Sequence, residues 1–437
     1  MPKLRYNKDM KNDKYLKRIC ESTLEKMLRL SGCVWIQGPK WCGKTTTAKI
    51  FAKSVINMHD EGQIISSKLL AERNPNEFLN KPTPLLIDEW QEIPFIWNAI
   101  RYQIDERENN KGQFIITSST LPTSNIELKH SGIGRINRMT MRPLSLFESK
   151  ESKGYISLSD LFYNKKNLNI FHKQNIFLDE IAFYICRGGW PETVLQPNKS
   201  DALFLSKQYY SNLIKSDILF NSKKIKSNFV HAVLKSYSRN CASQSSSLIT
   251  IKNDIEKFEN INISDQTINN YIKKLKDIFI IEEMEAWSPK LRSKTAIRNS
   301  RTKYLVDPSI ASQALNITPN NLIWDLNTFG ILFENLCVRD LRIYVDKLDG
   351  NIYHYRDKNG LEIDSIIVLP DGEYALIEIK LGSKEGIEKA ANNLKKLQFE
   401  LQTYNRKPSF MMIITAGNES YQRSDDIYVV PITFLKD

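Results

Sequence analysis

One stretch decides the fold of the N-terminal part of the chain: Gly38-Pro39-Lys40-Trp41-Cys42-Gly43-Lys44-Thr45, which fits the pattern GxxxxGK(S/T). An apolar run, CVWIQ at 33–37, precedes this stretch, and a helical pattern, TTTAKIFAKSVI at 45–56, follows it. A strand, a glycine-containing loop and a helix in this order form the phosphate-binding loop of nucleotide-binding proteins. The sequence therefore predicts a nucleotide site over residues 38–46, with Thr46 in the first turn of the helix.

The residue types of this loop fit a triphosphate. Glycines allow backbone N–H groups to surround phosphates at the N-terminus of a helix. We expect Lys44 to reach the β- and γ-phosphates and the hydroxyl of Thr45 to bind magnesium. ATP and Mg2+ are therefore the expected cofactors.

A second apolar run, LLIDE at 85–89, ends in two acids. We expect Asp88 to hold magnesium through water and Glu89 to polarise the attacking water, which favours hydrolysis over binding alone. The alternative is a strand that ends in a solvated acidic turn, which is common when such a match stands alone.

Two more polar residues are candidates for the same site. Ser119 follows a third apolar run, FIIT at 114–117, and would either sense the γ-phosphate or simply end a strand. Arg135 would either act as an arginine finger in the site of a neighbouring chain or be a surface residue in an ion pair.

A competing signal concerns the base of the nucleotide. Residues 198–201 read NKSD and fit the NKxD pattern that reads guanine. They follow Gln196-Pro197 and lie in a loop, whereas the guanine reader follows a buried strand. We therefore expect adenine.

The hydrophobic patterns divide the 437 residues into four stretches. Alternating short strands and helices predict a parallel-sheet α/β P-loop ATPase domain at 1–149. Longer helical patterns predict a connector or lid at 150–229. A helix-turn-helix pattern followed by a hairpin predicts a winged helix at 230–304, and an independent α/β pattern covers 305–437. One helix of the winged-helix stretch is predicted to bury four residues, Ile268, Tyr271, Ile272 and Leu275.

Composition narrows the class of protein. The net charge of +12 favours a polyanionic partner, although a generally lysine-rich composition would also produce it. No run of about 18 apolar residues occurs, so we expect no membrane span. The polar start is unlike a signal peptide, and the six cysteines form no CxxC pair. These features favour the cytoplasm.

Several segments in one order resemble a known family. They are GPKWCGKTTTA, LLIDEWQ, FIITSST, HSGIGRINRMTMRPLSLFES, RGGWPE, WSPKLRSKTAIRNS and KYLVDPSIA. Together they resemble the prokaryotic AAA-type (AAA_14-like) P-loop ATPases that carry a C-terminal domain of unknown function, DUF4143. This resemblance implies an ATPase domain, a winged helix and a C-terminal domain of the restriction-endonuclease type. The family's third strand often ends Thr-Gly-Ser, whereas this chain has Thr117-Ser118-Ser119.

Restriction-like nucleases use an acid on one strand and Glu-x-Lys on the next. Here Asp364 lies in LEIDSIIVL, and EYALIEIK ends with Glu378 and Lys380 on one face of the strand. We expect Asp364 and Glu378 to bind a metal ion, with Glu334 completing the group, and Lys380 to orient water or stabilise charge. The alternative is a nuclease-like domain without activity.

A basic segment favours DNA as the polyanion. Residues 288–303, SPKLRSKTAIRNSRTK, contain six cationic residues and no acid, at the place of the expected wing hairpin. We therefore expect a magnesium-dependent ATPase that couples its nucleotide state to a DNA-engaging C-terminal half. The alternative is an ATP-switched protein-interaction module, and self-association is left open.

Overall fold

The computed structural model describes residues 15–58, 61–121, 132–164, 169–215, 227–243, 247–288, 300–402 and 407–437. The chain divides into two compact units, Met1–Pro143 with Asp277–Phe279 and Leu144–Lys276 with Ile280–Asp437. The first division lies close to the boundary predicted at residue 149. Further division of the second unit at residues 229 and 304 stays a prediction.

The first unit is built on a sheet of five parallel strands. They are β1 (Cys33–Gln37), β2 (Ser54–Asn57), β3 (Leu85–Asp88), β4 (Phe114–Ser118) and β5 (Ile136–Thr140). Their order is β2-β3-β4-β1-β5, and each neighbouring pair is parallel. The predicted parallel sheet is confirmed, and β4 lies between the strand before the phosphate loop and the strand that ends in Asp88.

Helices pack on both faces of this sheet, so its three central strands, β1, β3 and β4, are buried on both sides. On β1, Cys33 and Trp35 face one apolar cluster, whereas Val34 and Ile36 face another. The helices of the first unit are Cys20–Leu30, Lys44–Phe51, Glu61–Arg73, Pro75–Leu79 and Ile96–Glu106, with a 3-10 turn at Trp90–Glu92.

The helix after the phosphate loop is shorter than predicted. It ends at Phe51, because Ala52 adopts an extended backbone. The following Ser54–Asn57 pairs with β3 and forms the edge of the sheet. Its β-branched Val55 and Ile56 favour this strand over a continued helix.

The second unit contains a mixed sheet of seven strands. They are β7 (His172–Lys173), β8 (Asn351–Arg356), β9 (Glu362–Val368), β10 (Tyr374–Lys380), β11 (Phe410–Thr415), β12 (Glu419–Gln422) and β13 (Ile427–Pro431). Their order in the sheet is β7-β12-β13-β11-β10-β9-β8. A separate parallel pair joins β6 (Ile156–Ser157) to β14 (Leu435–Lys436). The stretch predicted as a helical connector therefore also contributes strands to sheets formed with the C-terminal residues.

Helices account for most of the rest of the second unit. They are Leu158–Tyr163, Leu178–Arg187, Pro191–Val194, Lys199–Lys215, Ser227–Arg239, Leu248–Glu259, Asp265–Asp277, Pro308–Ala314, Pro319–Trp324, Leu326–Lys347 and Lys384–Gln402, with a 3-10 turn at Ile432–Phe434. Helix Leu178–Arg187 ends at Gly188, whose φ is 76°. None of the helices in the described parts of the chain is long and apolar enough to cross a membrane.

Three helices, Ser227–Arg239, Leu248–Glu259 and Asp265–Asp277, precede two antiparallel bridges, Ile281 to Leu305 and Met284 to Thr302. The middle helix was not predicted from the sequence. In helix Asp265–Asp277 the four residues predicted to be buried are indeed buried.

Candidate nucleotide site

The phosphate loop adopts a backbone that its glycines make accessible. Gly38 and Gly43 have φ values of 155° and 96°, and Trp41 has φ 72°. A Cβ on Gly38 would lie 2.1 Å from the carbonyl oxygen of Met141. Only glycine therefore fits at position 38, where the loop leaves β1.

Lys44 lies over the loop that precedes it. Its side chain is buried, and Nζ donates hydrogen bonds to the carbonyl oxygens of Gly38 at 3.0 Å and Pro39 at 2.8 Å. Lys40 and Trp41 are exposed to solvent. The loop thus encloses one buried cation, as the sequence predicts for a residue that binds phosphate.

A chain of short hydrogen bonds joins the loop helix to the acidic strand. The Thr45 hydroxyl donates to Asp88 Oδ1 at 2.8 Å, and the Thr117 hydroxyl donates to the same oxygen at 2.6 Å. Asp88 is 2% exposed. Hydroxyl and carboxylate oxygens are the ligands that magnesium prefers, so Thr45 and Asp88 fit a magnesium ion bound beside a triphosphate.

Glu89 is buried next to this chain and is held by residues of the neighbouring strand end. Its Oε1 accepts from the Ser119 hydroxyl at 2.7 Å, and its Oε2 accepts from the Ser119 N–H at 3.2 Å. Gln91 Nε2 donates to Oε2 as well. The Glu89 backbone has φ 55°, and its N–H donates to the Thr117 hydroxyl at 3.0 Å. The side chain is therefore fixed, as a residue that orients water requires.

The structure brings the predicted residues of this site to one edge of the sheet. Since the strands are parallel, the loop after β1, the acids at the end of β3 and Ser119 after β4 all lie at their carboxyl ends. Sequence reasoning missed Gln91 and the bond from Thr117 to Asp88. Thr117 lies inside an apolar run, so it gave no separate signal.

Arg135 lies elsewhere. It precedes β5, and its carbonyl accepts from the N–H of Cys33 at the beginning of β1. This is the amino end of the sheet, opposite the loop. The guanidinium pairs with Asp105 at 2.8 Å. Within its own chain Arg135 therefore does not reach the nucleotide site, and a role in a neighbouring chain stays a prediction.

The C-terminal candidates meet between β9 and β10. Lys380 Nζ lies 2.8 Å from Asp364 Oδ2 and 2.6 Å from Glu378 Oε2. The N–H of Ile379 also donates to Asp364 at 2.8 Å. Glu334 accepts from the Tyr304 hydroxyl at 2.6 Å. Nevertheless, no three His, Cys, Asp or Glu side chains among the described residues are arranged to hold a metal ion, so metal binding by Glu334, Asp364 and Glu378 stays a prediction.

Burial dominates the electrostatics of this cluster. Burial and the neighbouring Asp364 raise the pKa of Glu378 to about 8. Burial, again with Asp364, also raises the pKa of Glu334 well above its usual range. Although burial opposes it, the two adjacent carboxylates raise the pKa of Lys380. The charged lysine therefore offsets part of the repulsion among the three acids.

Most of the predicted basic loop lies outside the described residues, including Lys290, Arg292, Lys294 and Arg298. Of the remainder, Arg301 is bonded to Glu285 at 2.7 Å. Lys303 is buried, and burial lowers its pKa. The NKSD stretch does not follow a strand: Asn198 accepts from the N–H of Ser200 at the beginning of helix Lys199–Lys215.

The parallel sheet and the loop geometry define the first unit as an AAA-like P-loop ATPase fold. Residues 31–150 match the family described as AAA domain. Residues 329–435 match a domain of unknown function (DUF4143), and residues 178–321 match another (DUF8612). These matches confirm the resemblance drawn from the sequence: residues 31–150 are similar to AAA domains, and residues 329–435 are similar to DUF4143 domains.

Solved structures include similar chains. A Walker-type ATPase of Pyrococcus abyssi is 14% identical with a TM-score of 0.44, and the match covers 72% of this chain and 98% of that one. AMPPCP-bound DnaA from Aquifex aeolicus is 16% identical with a TM-score of 0.27, covering 59% and 86%. No curated protein matches the chain.

Proposed function

We propose that this chain hydrolyses ATP with magnesium at residues 38–46. The observation that supports this most directly is the series of bonds from Thr45 through Asp88 to Thr117, with Glu89 fixed beside it. Lys44 would bind the β- and γ-phosphates, Thr45 and Asp88 would hold magnesium, and Glu89 would orient the attacking water. Ser119 would act on the γ-phosphate through Glu89, since its hydroxyl and N–H both bind that carboxylate.

Calorimetry with Mg-ATP and release of phosphate test this proposal. Lys44→Ala should abolish nucleotide binding. Competition between ATP and GTP tests the expected adenine preference. Stronger competition by GTP would contradict it.

We further propose that the second unit engages DNA in a nucleotide-dependent way in the cytoplasm. Helix Asp265–Asp277 buries its apolar face and exposes polar side chains at i, i+3, i+4 and i+7, namely Gln266, Asn269, Asn270 and Lys273. Amides and amines at this spacing can contact base edges and phosphates in a major groove. The cationic stretch at 288–303 would add salt-dependent contacts to phosphates.

The test is a gel shift at physiological salt with Lys273→Glu. DNA affinity should fall about tenfold, because the change replaces a cation that would neutralise a phosphate by an acid that the phosphates repel. Lys389→Glu, an exposed change of equal charge in helix Lys384–Gln402, is the matched control. Equal loss in both variants would point to net charge alone. ATP turnover with and without DNA then tests the coupling.

Cleavage of DNA is a second candidate function. It is favoured by one contact geometry, in which Lys380 reaches both Asp364 and Glu378. Asp364 and Glu378 would hold magnesium or manganese, which would polarise the phosphodiester, and Lys380 would stabilise charge. Incubation with DNA and either metal tests it, with Asp364→Ala as the variant that should lose cleavage. Cleavage that survives this change would place the activity elsewhere.

The alternative from a different class is an ATP-switched protein-interaction module with an inactive nuclease-like domain. Absence of DNA affinity together with a co-purifying protein would favour it. Arg135 as a finger would require self-association. In that case the turnover per chain should rise with protein concentration and should lose this dependence in Arg135→Ala.

A further inference from the structure

An arginine outside the loop motif, Arg18, donates a hydrogen bond to the backbone of the phosphate loop. Arg18 is 4% exposed and lies just before helix Cys20–Leu30. Its Nη1 donates to the carbonyl oxygen of Cys42 at 2.8 Å, and its Nη2 donates to the carbonyl oxygen of Arg142 at 2.8 Å. One guanidinium thus bridges the loop and the segment that follows β5.

The bond to Cys42 fixes the orientation of a peptide plane. The carbonyl of Cys42 and the N–H of Gly43 belong to one trans peptide and point in opposite directions. Because the carbonyl is held on Arg18, the Gly43 N–H points away from Arg18. A phosphate loop binds its anion through such N–H groups, so Arg18 orients a group that the phosphates need.

Other contacts hold the loop against the same segment. Cys42 Sγ donates to the Met141 carbonyl oxygen at 3.3 Å, and the Met141 N–H donates to the Gln37 carbonyl at 2.7 Å. The Arg18 bridge therefore adds to the contacts that already join the loop to residues 141 and 142. A charged donor makes the stronger hydrogen bond to a carbonyl and adds positive potential close to the phosphates.

A short N-terminal segment holds Arg18 in turn. Glu21 Oε1 accepts from the Arg18 N–H at 2.7 Å and from the Tyr15 hydroxyl at 2.9 Å. The Tyr15 hydroxyl also lies 3.2 Å from Thr47 Oγ1, in the helix that the loop opens. The segment from Tyr15 to Glu21 thus contacts the loop and its helix at two separate points.

We propose that Arg18 is a positioning residue for nucleotide binding, which acts by fixing the Cys42–Gly43 peptide of the phosphate loop. This inference rests on the proposed ATP site and adds a determinant that the GxxxxGK(S/T) motif does not contain. Its effect falls on the phosphate part of the nucleotide, since the bridge acts on the loop.

The experiment compares Arg18→Met and Arg18→Lys with the wild type. Calorimetry with Mg-ADP, and displacement of Mg-ADP by inorganic triphosphate, are measured at 15 °C after circular dichroism confirms folding. Arg18→Met should bind both ligands about tenfold more weakly, because a charge-assisted hydrogen bond that orients the loop is lost. Arg18→Lys should also bind weakly, since one amine lacks the planar fork that bridges two carbonyls. If Arg18→Met does not fold, the affinity of Arg18→Lys alone tests the inference.

The matched control is Arg29→Met, an exposed arginine in the last turn of helix Cys20–Leu30. It should bind as the wild type does. Affinity of Arg18→Met within twofold of the wild type would overturn the inference, as would full recovery by lysine, which would leave charge as the only contribution. A wild-type protein that binds neither ligand would instead refute the proposed ATP site.

Discussion

Replacement of Glu89 by glutamine should separate ATP binding from ATP hydrolysis. The carboxylate lies 5% exposed and accepts hydrogen bonds from the Ser119 hydroxyl, the Ser119 N–H and the Gln91 amide. A glutamine side chain has the same size as the glutamate, so the change removes one negative oxygen without creating a cavity. Binding should persist because residues 38–46, and not Glu89, are proposed to contact the phosphates.

The expected change in the free energy of unfolding follows from these three hydrogen bonds. In Glu89→Gln an NH2 group replaces one oxygen, and the Ser119 hydroxyl can rotate to accept from it. The free energy of unfolding should therefore fall by only about 1 kcal/mol, the low end for a buried donor that loses its acceptor. Hydrolysis should fall about 100- to 10,000-fold, the usual contribution of a positioned general base.

The assay measures Mg-ATP affinity by calorimetry and single-turnover phosphate release for the wild type and Glu89→Gln. Ser119→Ala is the companion variant, since it leaves the carboxylate in place but removes one of its donors. Its loss of turnover should be smaller. Turnover of Glu89→Gln within tenfold of the wild type would refute the role of Glu89, and lost ATP binding would refute the separation of the two steps.

Three other perturbations have defined outcomes. Gly38→Ala should weaken Mg-ADP binding about ten- to hundredfold in calorimetry, because the new Cβ meets the Met141 carbonyl oxygen at 2.1 Å; wild-type affinity would contradict the loop geometry. Gly330→Ala, in helix Leu326–Lys347 with open space around the new Cβ, should instead raise the free energy of unfolding by about 1 kcal/mol, measured by urea denaturation, and a loss would contradict this. Burial lowers the pKa of His354 to about 4. The unfolded chain protonates this histidine below about pH 6.5, whereas the folded chain does so only near pH 4. The free energy of unfolding therefore falls as the pH drops from about 6.5 to about 4. Between pH 7 and pH 5 the loss should be about 2 kcal/mol, detected by hydrogen exchange in strand β8, and it should be absent in His354→Gln.

Local patterns predicted the central strands of the first sheet correctly. The runs at 33–37, 85–88 and 114–118 became parallel neighbours because short apolar runs between helices are typical of a sheet covered on both faces. The phosphate loop was predictable because its chemistry requires glycine and lysine at fixed spacing. The acids at 88 and 89 lie at the same sheet edge because the strands are parallel and their carboxyl ends meet there.

Features that depend on distant pairing were not predictable. Strand β6 has two residues and exists because Leu435, close to the end of the chain, pairs with Ile156. The Arg18 bridge likewise joins residues 24 and 124 positions apart, and arginine before a helix has no distinctive pattern. Asp105, the residue that pairs with Arg135, could not be predicted either, because it lies 30 positions away in the sequence.

The proposed role of residues 38–46 is to bind a triphosphate whose terminal phosphate is then released. Parallel calorimetry and phosphate-release assays on the wild type and Lys44→Ala with Mg-ATP test it most directly. The wild type should bind and turn over the nucleotide, whereas the variant should do neither. A wild-type protein that gives no binding heat and releases no phosphate would contradict the proposed ATP site at residues 38–46.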